Sequence, residues 1–299
     1  MSNYLEVVRQ GRNDWWRYLL SFPAILAIWF IVGSIPVVLL LAYISGDGDP
    51  ATGFSGTGFV GVPVIVEFLF TMSSFIPLLV GTLLAVRLIH NRPLQTLVTA
   101  EARIRWGRIF AGAGVWLLIA AVISTIEALL YPGRYLLTFQ PVTWTIFTGL
   151  ALLLIPLQTS AEEFLFRGYL LQWMGLRLKN WWLLSFLNGL LFFLPHAANP
   201  EMATHSILIG LGYFVMGLFL TLITLRDNGM ELALGMHAGN NLFAALFANY
   251  SITALPSPSF FTIQTLDPVY SLISLVLGMI VFYLVFFRPT RSETARLPG

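Results

Sequence analysis

The feature that constrains this chain most is a succession of apolar runs, each about as long as a bilayer is thick, separated by short polar loops. The hydrocarbon core of a membrane is roughly 30 Å across, and a helix rising about 1.5 Å per residue needs roughly 20 apolar residues to cross it. Eight runs answer to this: Ser21 to Ile44, Val62 to Ile89, Phe110 to Leu130, Val142 to Leu178, Trp181 to His196, His205 to Leu225, Glu231 to Tyr250 and Val269 to Phe287. In hydrocarbon each backbone N–H and C=O must be satisfied without water, so such runs fold as helices. The expected fold class is all-α, a polytopic transmembrane helical bundle of eight spans. Composition agrees, with 57% hydrophobic and 10% charged residues against roughly 25% charged in a soluble domain.

The basic residues fall in alternate loops. Arg9, Arg12 and Arg17 precede or open the first span, Arg87, Arg92, Arg103, Arg105 and Arg108 surround the second loop, Arg177 and Lys179 follow the fourth span, Arg226 follows the sixth, and Arg288, Arg291 and Arg296 follow the eighth. The intervening loops, Gly46 to Gly61 and Ser251 to Asp267, hold no Lys or Arg, and Tyr131 to Pro141 holds only Arg134. The positive-inside rule then predicts cytoplasmic termini, in a multi-pass protein of the cell (inner) membrane. Trp15, Trp16 and Tyr18 read as an interfacial anchor; the run behind them is too long for a signal-peptide core, and no small-residue cleavage site closes it. The net charge of +2 is too small and scattered for a nucleic-acid footprint, so the bilayer is the expected partner. With no cysteine there is no disulfide, thiolate metal site or cysteine nucleophile. The chain divides into residues 1–141, an interfacial segment and three spans; residues 142–250, a core; and residues 251–299, a loop, the last span and a basic tail.

Against this background one stretch is anomalous. Ala161-Glu162-Glu163-Phe164-Leu165-Phe166-Arg167 places two carboxylates and a guanidinium inside an apolar run. Ionisable groups at membrane depth are costly and mark function by default. On a helix Glu163 and Arg167 are four apart with the acid first, the favourable order for an ion pair, so Arg167 is expected to hold Glu163 as a structural carboxylate. Glu162 points about 100° away and is left to meet something else.

Two more groups share same-face spacing inside apolar segments. Phe192 precedes His196 by four residues, and His237 precedes Asn241 by four with small residues between. Measured from Arg177, Trp181 and Asn228 as the cytoplasmic boundary, Glu162, His196 and His237 lie about 22, 22 and 14 Å inside, so they are expected to share one wet cavity. His90 and His205, near span ends, are expected at the interface. The long fourth run is expected to kink at Pro156 or to protrude.

Glu162-Glu163 with Arg167 (EExxxR), Phe192 to His196 (FxxxH) and His237 to Asn241 (HxxxN) resemble, in order and spacing, the three motifs of the CPBP/Abi intramembrane protease family, which includes the type II CAAX prenyl endopeptidases. The resemblance covers Val142 to Tyr250. It implies that Glu162 activates the attacking water, that Glu163 and Arg167 support it, and that His196, His237 and Asn241 bind the water, a metal or the developing oxyanion. It leaves open a divalent metal such as zinc on His196, His237 and Glu162, a His₂Glu set with an open position; the HExxH signature is absent. The activity it implies is endopeptidase cleavage near the cytoplasmic leaflet, with a peptide or protein substrate that relatives suggest is prenylated. Two other classes compete: a non-catalytic immunity or regulatory protein binding a partner in the same cavity, and a proton-coupled transporter. Against transport, no paired broken helices or internal symmetry are visible.

Overall fold

The computed structural model describes residues 3–55 and 58–288. Six helices are long and apolar enough to cross a membrane: α1 (Trp15–Gly46), α2 (Val64–Ile89), α3 (Trp106–Leu130), α4 (Pro141–Gly175), α6 (Met202–Asp227) and α8 (Pro268–Phe287). Two shorter helices stand between them in chain order, α5 (Trp181–His196) and α7 (Glu231–Leu246), each of 16 residues. Arg291 and Arg296 of the expected basic tail lie outside the described residues.

The fold is mostly helical, as expected, with short strands of two or three residues added in the loops. Gly53–Phe54 (β1) pairs antiparallel with Phe59–Val60 (β2). Tyr135–Leu137 (β3), Ala248–Tyr250 (β4) and Phe261–Ile263 (β5) form a sheet in the order β3-β5-β4, antiparallel on one side and parallel on the other. The seventh apolar run therefore ends as a helix at Leu246, and Ala248–Tyr250 becomes a strand. Backbone groups in loops that pack against one another must find partners, and a ladder supplies them. Arg134 clamps this corner: Nη1 donates to Glu127 Oε1 at 2.8 Å, Nη2 lies 3.5 Å from Asp267, and the Tyr135 hydroxyl donates to Glu127 Oε2 at 2.7 Å.

Helix contacts are made by small residues, as expected where lipid tails compete equally for large apolar side chains. On α3 and α7 the close approach is at Gly112, Gly235 and Gly239; a Cβ built on Gly235 would stand 2.0 Å from the Ile109 carbonyl oxygen. On α5 and α6 it is at Gly189 and Gly217, where a Cβ on Gly217 would stand 3.0 Å from Gly189 Cα. α4 runs as a regular helix from Pro141 to Glu163, through Pro156, and then widens into a π-helical segment, Phe164–Leu170. The irregularity thus falls at the charged motif instead of at the proline.

The arginine-rich loops share one end of the bundle. Arg105 bonds Asp227 at 3.0 Å and Glu231 at 2.7 Å, while Arg108 also pairs with Asp227. The segment Asn3–Gln10 folds over this end and buries Tyr4, Leu5 and Val8. His90, expected at the interface, is only 3% exposed there, held by Ser21 Oγ at 3.1 Å and the Arg12 carbonyl at 3.0 Å. His205 is exposed, at a break in helical geometry within α6.

Candidate active site

α4 carries the two carboxylates to the centre of the bundle. Glu163 and Arg167 are both fully buried, with Nη1 donating to Glu163 Oε1 at 2.8 Å. Arg167 Nη2 also donates to the Gly217 carbonyl at 3.1 Å, and its guanidinium lies 4.5 Å from the centroid of Phe192. Glu163 Oε1 accepts in turn from His237 Nδ1 at 2.8 Å. A guanidinium, a carboxylate and an imidazole so form one chain of charge-assisted contacts, the arrangement that makes a buried ion tolerable.

That chain fixes what faces Glu162. With Nδ1 committed to Glu163, His237 turns Nε2 toward Glu162 Oε2, 3.5 Å away. His196 is fixed in the same manner: Nδ1 donates to the Phe192 carbonyl at 2.7 Å, leaving Nε2 4.0 Å from Glu162 Oε1. Its ring lies between Phe192 and Tyr213, with centroids at 4.5 and 4.4 Å. Glu162 Oε2 is buried with no hydrogen-bond partner among the described residues. The gaps beside it are too long for direct hydrogen bonds and suit an interposed water.

Asn241, one turn beyond His237, donates through Nδ2 to Gln158 Oε1 at 3.1 Å, and Asn240 Nδ2 donates to Asn241 Oδ1 at 3.1 Å. Asn240 is itself steadied by Trp116 Nε1 at 3.1 Å. Glu162, His196, His237 and Asn241 all line a cavity of about 560 Å³. Glu163 and Arg167 do not line it; Glu163 touches its wall through the bond to His237. The sequence reading thus finds its six residues gathered in two layers. It missed Gln158, Asn240, Tyr213 and Glu201. Gln158 had a usable signal, since it stands one turn before Glu162, on the same helical face, in a run with few polar residues. Tyr213 and Glu201 had none, because their pairing comes from the meeting of a loop with α6.

From Glu162 the cavity extends past Tyr213 and Glu201 to Thr253, Ala254 and Leu266, at the end of the bundle whose loops hold no basic residue but Arg134. Depth counted from Arg177 gave the level of Glu162 along α4 but could not say which way the space beside it widens.

Two imidazole Nε2 atoms and a carboxylate are donors of the kind a divalent ion takes. Among the described residues, though, no three His, Asp or Glu side chains are gathered into a group that could hold one. The Nε2 atoms of His237 and His196 stand 3.5 and 4.0 Å from the Glu162 carboxylate.

Residues 141–243 match the family model described as type II CAAX prenyl endopeptidase, Rce1-like. An uncharacterised protein of Bacillus subtilis (strain 168), YyaK, is 29% identical over 284 residues, covering 94% of each chain. The matched segment holds all six site residues.

Proposed function

We propose that this chain, an integral membrane protein whose core matches the Rce1-like family, is an intramembrane endopeptidase that hydrolyses a peptide bond with water activated by Glu162. Eight spans with both termini in the cytoplasm complete the reading, α5 and α7 being the short members that bring His196 and His237 to mid-depth. The observation that carries it is the Glu162 carboxylate, buried at the deep end of a cavity with one oxygen unpartnered and an imidazole Nε2 on each side at 3.5 and 4.0 Å.

Amide hydrolysis requires a base for water, donors for the oxyanion and an acid for the leaving amine. A water between Glu162 and His237 Nε2 gives its proton to the carboxylate as its oxygen attacks the carbonyl carbon. The oxyanion so formed takes hydrogen bonds from the Asn241 amide and, when it is protonated, from His196 Nε2. Glu162 then hands the proton to the departing nitrogen, and the C–N bond breaks. Glu163 and Arg167 keep His237 in the tautomer and orientation that this needs.

The test is cleavage of a prenylated CaaX peptide and of a membrane extract by purified protein, wild type beside Glu162→Gln and Glu162→Ala. The expected loss in both variants is at least about a thousandfold, within the scale of removing a general base and misplacing its water. Equal product from wild type and variants would end the catalytic assignment, and a phenotype surviving in Glu162→Gln would mark a binding protein. A divalent ion, which the resemblance allows, would draw on Glu162, His196 and His237. Insensitivity to chelator is expected for direct water activation; loss restored by zinc would put the ion there.

A further inference from the structure

The walls of the cavity say from which side a substrate arrives. On the arginine-rich side of Glu162 the protein is closed. Glu163, Arg167 and Gln172 are fully buried, and beneath them the Tyr4 hydroxyl donates to the Leu97 carbonyl and lies 3.3 Å from the Arg167 carbonyl. Leu5 packs on Gly175, where a Cβ would stand 2.7 Å from a Leu5 methyl carbon, and Lys179 pairs with Glu6 at 2.8 Å. No residue of Asn3–Gln10 or of the arginine-rich loops lines the cavity.

On the other side it is open and has a built wall. Glu201 accepts from the Tyr213 hydroxyl and, through its second oxygen, from the Ala254 backbone N–H at 2.9 Å, which ties the loop after β4 to the α5–α6 turn. Ile252 lies on this loop, lines the cavity and is 47% exposed. One flank, at Leu208, Leu272 and Leu275, is apolar. The lining contains the carboxylates Glu162 and Glu201 and no Lys or Arg. Arg134, the cation at this end, is committed to Glu127 and Asp267.

We infer that the cavity is reached from the non-cytoplasmic face, and that it takes an internal juxtamembrane segment of a membrane-anchored polypeptide, not a cytoplasmic C-terminal tail. A free terminal carboxylate entering this lining meets two acids and no Lys or Arg to pair with, an arrangement that disfavours it. A chain passing through presents neutral amides to the polar loop wall and apolar side chains to the flank between α6 and α8. The side assignment follows from the arginine distribution, and the substrate class rests on the hydrolytic reading proposed above.

The absence of cysteine permits a direct test with full-length protein. Single variants Ile252→Cys and, in an exposed position at the opposite end, Gln95→Cys are treated in intact cells with a membrane-impermeant maleimide. Ile252→Cys is expected to label from outside and Gln95→Cys only after permeabilisation. Bulky labelling of Ile252→Cys is expected to lower its cleavage at least tenfold relative to the same variant unlabelled, while labelling of Gln95→Cys leaves its rate within twofold. New N-termini that appear in membranes with wild type, and not with Glu162→Gln, are expected at non-cytoplasmic juxtamembrane positions. Labelling of Ile252→Cys only after permeabilisation overturns the inference whether or not anything is cleaved, as do new termini confined to cytoplasmic C-terminal tails. External labelling with no cleavage by wild type supports the direction of the cavity and removes both the hydrolytic reading and the substrate class built on it.

Discussion

At the scale of single residues, the site is a division of labour between neighbouring acids. Glu163 is consumed by structure: it holds Arg167 at 2.8 Å and His237 at 2.8 Å. Removing the guanidinium by Arg167→Ala strands a fully buried carboxylate, which typically costs about 3–5 kcal/mol. A matching drop in detergent thermal stability is expected, together with loss of activity, because His237 loses its anchor. Arg167→Lys restores charge but not the fork that reaches both Glu163 and Gly217, and recovers only part of the stability. A second residue-scale effect lies outside the membrane-spanning segments. Burial holds the His90 imidazole below its ordinary value of 6.5, with the bond to the Arg12 carbonyl opposing it. Protonation is thus penalised in the folded state, and the unfolded chain binds more protons below about pH 6.5, so stability present above that pH is lost as pH falls. Unfolding temperature is expected to decline from about pH 7 to 5 in wild type and less steeply in His90→Gln.

Among elements, the decisive contact is α3 against α7, because α7 carries both His237 and Asn241. Their backbones approach so closely at Gly235 that a Cβ would stand 2.9 Å from Ala113 N as well as clashing with the Ile109 carbonyl. Backbone cannot swing aside as a long side chain can. Gly235→Ala is expected to destabilise at or above the upper end of the roughly 1–3 kcal/mol typical of overpacking. Gly114→Ala, on the same α3 with nothing within 4 Å of its would-be Cβ, is expected to be neutral. Size-exclusion profiles and unfolding temperatures in detergent distinguish the two. The π-helical stretch Phe164–Leu170 follows Glu163 immediately, and such wide turns are frequent at functional sites. It buries Leu165 to Leu170 behind the acids in one unbroken run.

For the whole molecule, the two ends of the bundle differ in kind. One is closed by Asn3–Gln10 and an ionic cluster of Arg105, Arg108, Asp227 and Glu231; the other carries the small sheet and the cavity. If Tyr4 seals the first end, Tyr4→Ala is expected to cost about 3–5 kcal/mol as a large buried side chain is lost. It should also raise hydrogen exchange at the amides of Val98 and Gly168 beside the vacated space. Tyr4→Phe keeps the packing and forfeits the hydroxyl bonds, at about 1 kcal/mol. Equal exchange in Tyr4→Ala and wild type would show that the segment rests on this end without closing it.

The apolar runs and three short spacings were legible because their physics is local. Hydrocarbon admits few ways to satisfy a backbone, so run length alone predicted where helices lie, to within a few residues at most ends. Four-residue spacing alone put Glu163 beside Arg167 and left Glu162 free. The small strands and the burial of His90 were not legible, since each depends on segments far apart in the chain meeting, and the pairing of Tyr213 with Glu201 was not, since it depends on how the chain bends at His205 early in α6. The same holds for the cavity's direction. Sequence sets how deep a carboxylate rides on its helix, through the fixed rise per residue. Which side of it is filled depends on how Tyr4 packs under Arg167 and how the Ala254 loop ties to Glu201, contacts between residues far apart in the chain that exist only once the helices have assembled.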